Sequence, residues 1–431
     1  MDGESRTSRV STNTASTSVV GRYHAAFIVL VGFLANFVAF GVAFTFGVFQ
    51  EYYSSRMGPL SHSSQTTVSM IGSVASASTY SFAIFNNAVT DYLKTPKLVM
   101  LMGAIIMAVA MTCASFCQEE MAYQFILSQG LLFGIGSSFA YMPPVVCAPP
   151  FFTRNRGLAI GIVFAGTGFG AVTFAPLTRY LLSHVGWRWT LRILGLISFG
   201  VLAPISLLVN QHPSVQGHDP KPLRSLFTQF NLRSSNIDGW SLISQLGAGL
   251  FQAAGYLISL NFMSTYARSL GFSAQQGANF IALSNGINAI FKVVIGFFAD
   301  QYLGRLNTII LCNFMSAAAV FSLWLVGLKS TFLAFVVLYG VFSGAIISLL
   351  PTCLSEIFGV KNYKSISGMM YFFRGVGNLL GSPIAALLIT NASLPKGYQN
   401  AIIYNGVMLT VSTLFLGTLK LRADKSAPVR D

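Results

Sequence analysis

Twelve stretches of about 20 or more apolar, almost uncharged residues succeed one another along the chain. They lie near 24–50, 64–89, 97–117, 121–150, 157–183, 188–209, 239–266, 276–299, 307–327, 331–357, 365–390 and 400–420. A helix rises about 1.5 Å per residue, so each stretch can cross the roughly 30 Å of bilayer hydrocarbon. Backbone polar groups in lipid must find partners inside their own segment, which restricts such a chain to an all-α integral membrane protein. A soluble alternative would need several domains to hide the 53% of residues that are hydrophobic, with only 9% charged.

The longest connection divides the twelve spans six and six. The expected organisation is a disordered cytoplasmic tail over 1–22, a six-helix bundle over 23–209, a cytoplasmic central loop over 210–238, a second bundle over 239–420, and a cytoplasmic tail over 421–431. The central loop carries Pro213, Pro220 and Pro222, and the first tail carries nine Ser or Thr and no apolar core that would serve as a signal peptide. One stretch occurs in both halves. Phe151, Arg154, Gly161, Gly170 and Pro176 fall on Phe358, Lys361, Gly368, Gly377 and Pro383 at an offset of 207 residues. The expected fold class is therefore two pseudo-symmetric six-helix bundles.

Charge fixes the expected orientation. With the N-terminus inside, 17 of the 26 Lys and Arg lie on the cytoplasmic side, five lie outside, and four (Arg179, Arg192, Lys292 and Arg374) lie within spans. Basic residues prefer cytoplasmic loops, so both termini are expected in the cytoplasm, with the plasma membrane as the site. The same preference accounts for the net charge of +14 without a nucleic-acid partner. The five cysteines are scattered through apolar segments and show no disulfide or metal spacing. Neither a cofactor, a metal nor a catalytic constellation is expected, and the chain does not read as an enzyme.

Charge inside a bilayer is costly and points to function. Lys292 and Arg374 stand near mid-membrane, and the twelve acids all fall in tails, loops or span ends. Two deep cations without acids predict a site for a small anionic substrate, with Arg374 able to clamp a carboxylate through two parallel hydrogen bonds. Alternatively, each bonds helix carbonyls or the amides of Asn285, Asn288 and Asn378 and pins helices together. Tyr371, Phe372 and Phe373 beside Arg374 offer rings for a ring-bearing ligand, whereas most other aromatic residues are expected to face lipid. Arg179 and Arg192 read as anchors reaching for the membrane surface.

Three further features stand apart from the deep cations. Gly296, Asp300, Gly304 and Arg305 mark a tight cytoplasmic turn that reads as part of a gate or as a plain loop, and Arg154 with Arg156 stands at the cytoplasmic foot of the fifth span. Asn391-Ala-Ser393 is a glycosylation triplet on an expected outer loop.

The runs FFTRNRGLAIGIVFAGTGFG with Arg154, Arg156, Gly161, Gly166 and Gly170, GWRWTLRILG from Gly186 to Gly195, FTFGVFQEYY and GFFADQYLGRLN resemble the monocarboxylate porter family of the major facilitator superfamily, in its fungal branch. The resemblance implies two bundles around a central site, alternating access by rocking, and commonly symport of a proton with a carboxylate. Departures from the family pattern are specific. Ala43 stands where characterised animal members have a substrate lysine, and Asn288 and Lys292 stand where they have an Asp and an Arg. Asn288 cannot titrate, so proton coupling would fall to Lys292 or to a proton carried on the substrate. The expectation is a carrier of a small organic anion or carboxylate-bearing metabolite, with export of a secondary metabolite preferred over proton-linked uptake of a monocarboxylate or riboflavin-like compound.

Overall fold

A computed structural model describes residues 13–93, 95–148, 156–209 and 238–426. Eleven helices among them are long and apolar enough to cross a membrane: Ala26–Tyr53, Gln65–Asn86, Pro96–Ser115, Ala122–Cys147, Leu158–His184, Gly186–Ser206, Gly239–Ser269, Ala274–Leu303, Arg305–Trp324, Lys329–Leu350 and Pro395–Arg422. The remaining span is the second limb of the helix Ala345–Leu387, which breaks at Gly359 with φ 77° and ψ 155°. Only glycine takes that conformation cheaply, so the break separates the tenth span from the eleventh. The all-helical architecture of two six-helix bundles is thus present.

The terminal helices run further than the sequence reading has them. The first begins at Asn13, so residues 13–22 are helical where a disordered tail is expected, and the last runs to Ser426. Extending a helix that is already nucleated costs little even for a polar sequence. The central loop lies outside the described residues except for Asp238, which caps the seventh span by accepting from the backbone N–H groups of Trp240 and Ser241. Ser273 and Gln276 form a reciprocal capping box at the start of the eighth.

The duplicated stretch has a packing role. In the fifth span, a Cβ at Gly168 would collide with the Asn285 carbonyl of the eighth span, in the opposite bundle, and one at Gly170 would collide with the Phe37 carbonyl of the first span, in its own bundle. The equivalent positions in the eleventh span repeat the arrangement: Gly375 abuts Ser81 and Ala77 of the second span, and Gly377 abuts the Leu250 carbonyl of the seventh. One glycine of each pair lets its helix approach the other bundle, while its neighbour lets the helix seat on its own. In lipid, where apolar surface gives no preference for a neighbouring helix over a lipid tail, such close backbone packing supplies much of the association.

Polar side chains stitch the second bundle internally. Asn261 donates to Ser382 Oγ at 3.0 Å, Asn405 to Ser259 Oγ at 2.7 Å and Asn313 to the Leu409 carbonyl at 3.1 Å. The outer surface carries exposed apolar side chains such as Leu196, Phe314 and Leu414, as a lipid-facing wall requires. Phenylalanine does not keep to that wall, contrary to the expectation from composition. Phe40, Phe49, Phe125, Phe332 and Phe335 are buried, because large flat side chains fill the irregular space between crossing helices.

Candidate functional site

Where the bundles meet lies a narrow central cavity, closed down in this conformation to room for about one water molecule. Phe40, Ala43 and Phe44 of the first span and Ser76, Thr79 and Tyr80 of the second face Tyr256 and Leu257 of the seventh and Arg374 and Asn378 of the eleventh. Spacings of three and four residues place the sets from the first, second and eleventh spans each on one helix face. Among these lining residues Arg374 is the single charged group. Ala43, where the family resemblance puts a substrate lysine elsewhere, lines the wall but brings no charge.

Arg374 is 1% exposed, and its NH1 donates to Gln252 Oε1 at 2.7 Å. Its guanidinium carbon lies 5.5 Å from the ring centroid of Tyr80, on the opposite bundle. Tyr80 in turn lies parallel to Tyr371, with centroids 6.1 Å apart and planes 11° apart. A buried arginine with a neutral hydrogen-bond partner keeps its full positive charge toward the cavity. Of the rings flagged beside it in the sequence, Tyr371 turns inward, whereas Phe372 is 43% exposed on the outer face. Successive helical residues point about 100° apart, so the three could not share one face.

Lys292 and Asn288 do not line this cavity. Lys292, also 1% exposed, sits where the eighth span crosses the fifth, and its Nζ donates to Thr167 Oγ1 at 2.7 Å. This bond joins the two bundles. Asn288, one turn away, donates to the Gly340 carbonyl at 3.2 Å and Ser343 Oγ at 3.3 Å, tying the eighth span to the tenth. The expected two-cation cluster is divided between the cavity, which has Arg374, and an inter-bundle seam, which has Lys292. The physical reason is rotational: Lys292 belongs to the face on which the eighth helix packs against its neighbours.

At the end bearing the termini, Arg305 Nε lies 3.0 Å from Asp300 Oδ1 and its NH1 3.4 Å from Glu356 Oε2. Gly304 turns the chain with φ 76°, so the expected tight turn is present, and these three charged groups all belong to the second bundle. Arg154 and the side chain of Arg156 lie outside the described residues. At the far end, Glu51 pairs with Arg179 of its own bundle at 2.9 Å and with Arg268 of the other at 3.7 Å. Arg179 is therefore a paired residue rather than a surface anchor. Arg192 donates to Ser115 Oγ at 3.0 Å and lies over the rings of Phe116 and Trp189. Asn391 stands exposed on the loop before the last span, accepting from the Ser393 backbone at 2.9 Å.

Tyr80, Tyr256, Gln252 and Glu51 escaped the sequence reading. Uncharged residues in membrane helices carry no penalty large enough to mark them, and Glu51 reads as an ordinary span end until its partners are brought beside it.

A family model described as Major Facilitator Superfamily matches residues 26–302 and again 245–431. The MFS-type transporter pynF of Aspergillus niger is 29% identical over 395 residues, covering 90% of this chain and 88% of the relative. The Agnestins efflux protein AgnL12 of Paecilomyces divaricatus is 26% identical, covering 92% and 88% respectively. Among solved structures, a bacterial homolog of the human lysosomal transporter Spinster superposes with a TM-score of 0.65 at 15% identity, covering 95% of this chain and 99% of that one.

Proposed function

The chain belongs to the Major Facilitator Superfamily, and from that premise we propose that it exports a small organic anion or carboxylate-bearing metabolite by alternating access through the central cavity. Its relatives and its fold are those of membrane carriers, not enzymes. The observation that carries the anionic reading is Arg374, a buried guanidinium held by the neutral Gln252 and set in the wall between the bundles. A carboxylate entering that cavity gains a charge-assisted, two-point contact that no described lining residue opposes. Lys292 holds the seam between the halves and releases Thr167 as they rock, which makes it the group, besides the substrate itself, through which protons would be coupled.

Export is supported by a relative of this length that is named as an efflux protein, and by Asn288 standing where the resemblance puts a titrating acid. The runs shared with the monocarboxylate porter family support placement in that branch. The 17-to-five charge asymmetry supports cytoplasmic termini, and we assign the protein to the plasma membrane.

Purified protein in liposomes, assayed for flux of radiolabelled organic acids, tests the site. Arg374→Gln is expected to abolish anion flux and Arg374→Lys to retain a fraction, since lysine keeps the charge but not the planar fork. Full flux in Arg374→Gln would refute the assignment. Proton movement measured in the same vesicles tests coupling, and metabolite profiles of a deletion strain test direction: an exporter leaves its cargo inside the cell.

A further inference from the structure

We propose that the anion is aromatic, a planar ring bearing a carboxylate, held between Tyr80 and Tyr371 with its charged group on Arg374. This inference rests on the anion-carrier reading above and narrows it. Tyr80 and Tyr371 come from opposite bundles and present nearly parallel faces, 11° apart, with centroids 6.1 Å apart. A ring sandwiched between two others needs about 3.5 Å on each side, roughly 7 Å in all. The centroid separation of 6.1 Å sets an upper limit on the spacing of the two planes, so no flat guest fits between them in this conformation and one enters only as the bundles part. As the bundles rock, the two rings either stack on each other or clasp a flat guest.

The surrounding groups fit the same guest. Arg374 lies 5.5 Å from the Tyr80 centroid, so an acid group in the plane of a sandwiched ring comes within reach of the guanidinium. Phe40, in the cavity wall, meets the ring of Tyr141 edge-on, with centroids 4.8 Å apart and planes at 71°. The Tyr141 hydroxyl is fully buried and has no hydrogen-bond partner among the described residues. It lies within electrostatic reach of Tyr80, Tyr371 and Arg374. Buried hydroxyls are almost always paired, so this one is a donor without its acceptor, and a ligand oxygen would fill the place. An aliphatic acid satisfies Arg374 alone and leaves the two facing rings without a guest.

Benzoate and cyclohexanecarboxylate, which share a size and a charge and differ in planarity and π character, separate the two readings. Binding to the purified full-length protein is measured by isothermal titration. The wild type is expected to hold benzoate about tenfold more tightly, the preference that stacking on two faces supplies. Tyr371→Leu is expected to reduce that ratio to near one and Tyr371→Phe to keep it, while Tyr141→Phe weakens benzoate several-fold. Equal binding of the two acids in the wild type, with both lost in Arg374→Gln, would overturn the aromatic assignment and leave the anion reading standing. A benzoate preference that persists in Tyr371→Leu would overturn the sandwich. Binding of neither acid would defeat both readings.

Discussion

Replacing Arg268 by glutamine should loosen the end of the protein opposite the termini without unfolding it. Glu51 is nearly buried, with a side chain 11% exposed, and holds Arg179 at 2.9 Å and Arg268 at 3.7 Å. The Arg179 contact lies within the first bundle and persists however the bundles move, so it cancels from the equilibrium between the closed and open far end. The Arg268 contact crosses between bundles and exists only when that end is closed. Closure there also presses Gly47 against the Leu260 carbonyl, 3.0 Å from where a Cβ would stand. Coulomb attraction over that separation at an effective dielectric of about 20 would reach about 4 kcal/mol. Arg268 is 51% exposed, however, so screening and lost hydration reduce the net value to about 0.5–1 kcal/mol.

That energy corresponds to a two- to fivefold shift toward the open far end. The assay is labelling of Ala43→Cys, a cavity reporter, by an impermeant maleimide added from the Asn391 side, in a Cys113→Ser background that removes the exposed native thiol. Labelling should accelerate by about two- to fivefold in Arg268→Gln, and raised salt should accelerate the parent by a similar factor. Glu51→Gln should show the same acceleration together with a lowered Tm, because Arg179 then stands 21% exposed without its acid. Unchanged labelling in both variants and at high salt would refute the clasp.

Substituting valine for Gly375 should cost about 1–3 kcal/mol, or hold the second and eleventh spans apart, because the new side chain meets Ser81 and Ala77. Gly200→Ala, facing open space, should be neutral or slightly stabilising, and thermal melts in detergent compare the two. The Ser241 hydroxyl, with the backbone N–H groups of Ser241 and Trp240, holds the Asp238 carboxyl below its usual range. The sign follows: this cap stabilises above the ordinary carboxylate range and is lost as pH falls through the depressed value. The Tm difference between the parent and Asp238→Ala should therefore shrink on acidification, and a difference that grew would contradict the cap. If the loop before the last span lies outside the cell, enzymatic deglycosylation should shift the parent on a gel and leave Asn391→Gln unmoved.

The residues alone determined a great deal. Lipid excludes unpaired backbone, so twelve almost uncharged stretches of this length are read as helices, and the positions of lysine and arginine among them divide the chain into loops and spans. The duplicated glycine stretch was legible for the same reason, since close helix approach in lipid leaves a mark in residue size. Tertiary structure decided which faces meet. Lys292 and Arg374 look alike in sequence, yet one seals a seam through Thr167 and the other opens on a cavity. A membrane helix is apolar toward both its neighbours and the lipid, so its sequence carries little record of its rotation. For that reason the tyrosines around Arg374, and the partner of Glu51 128 residues along the chain, emerged only when the helices were packed.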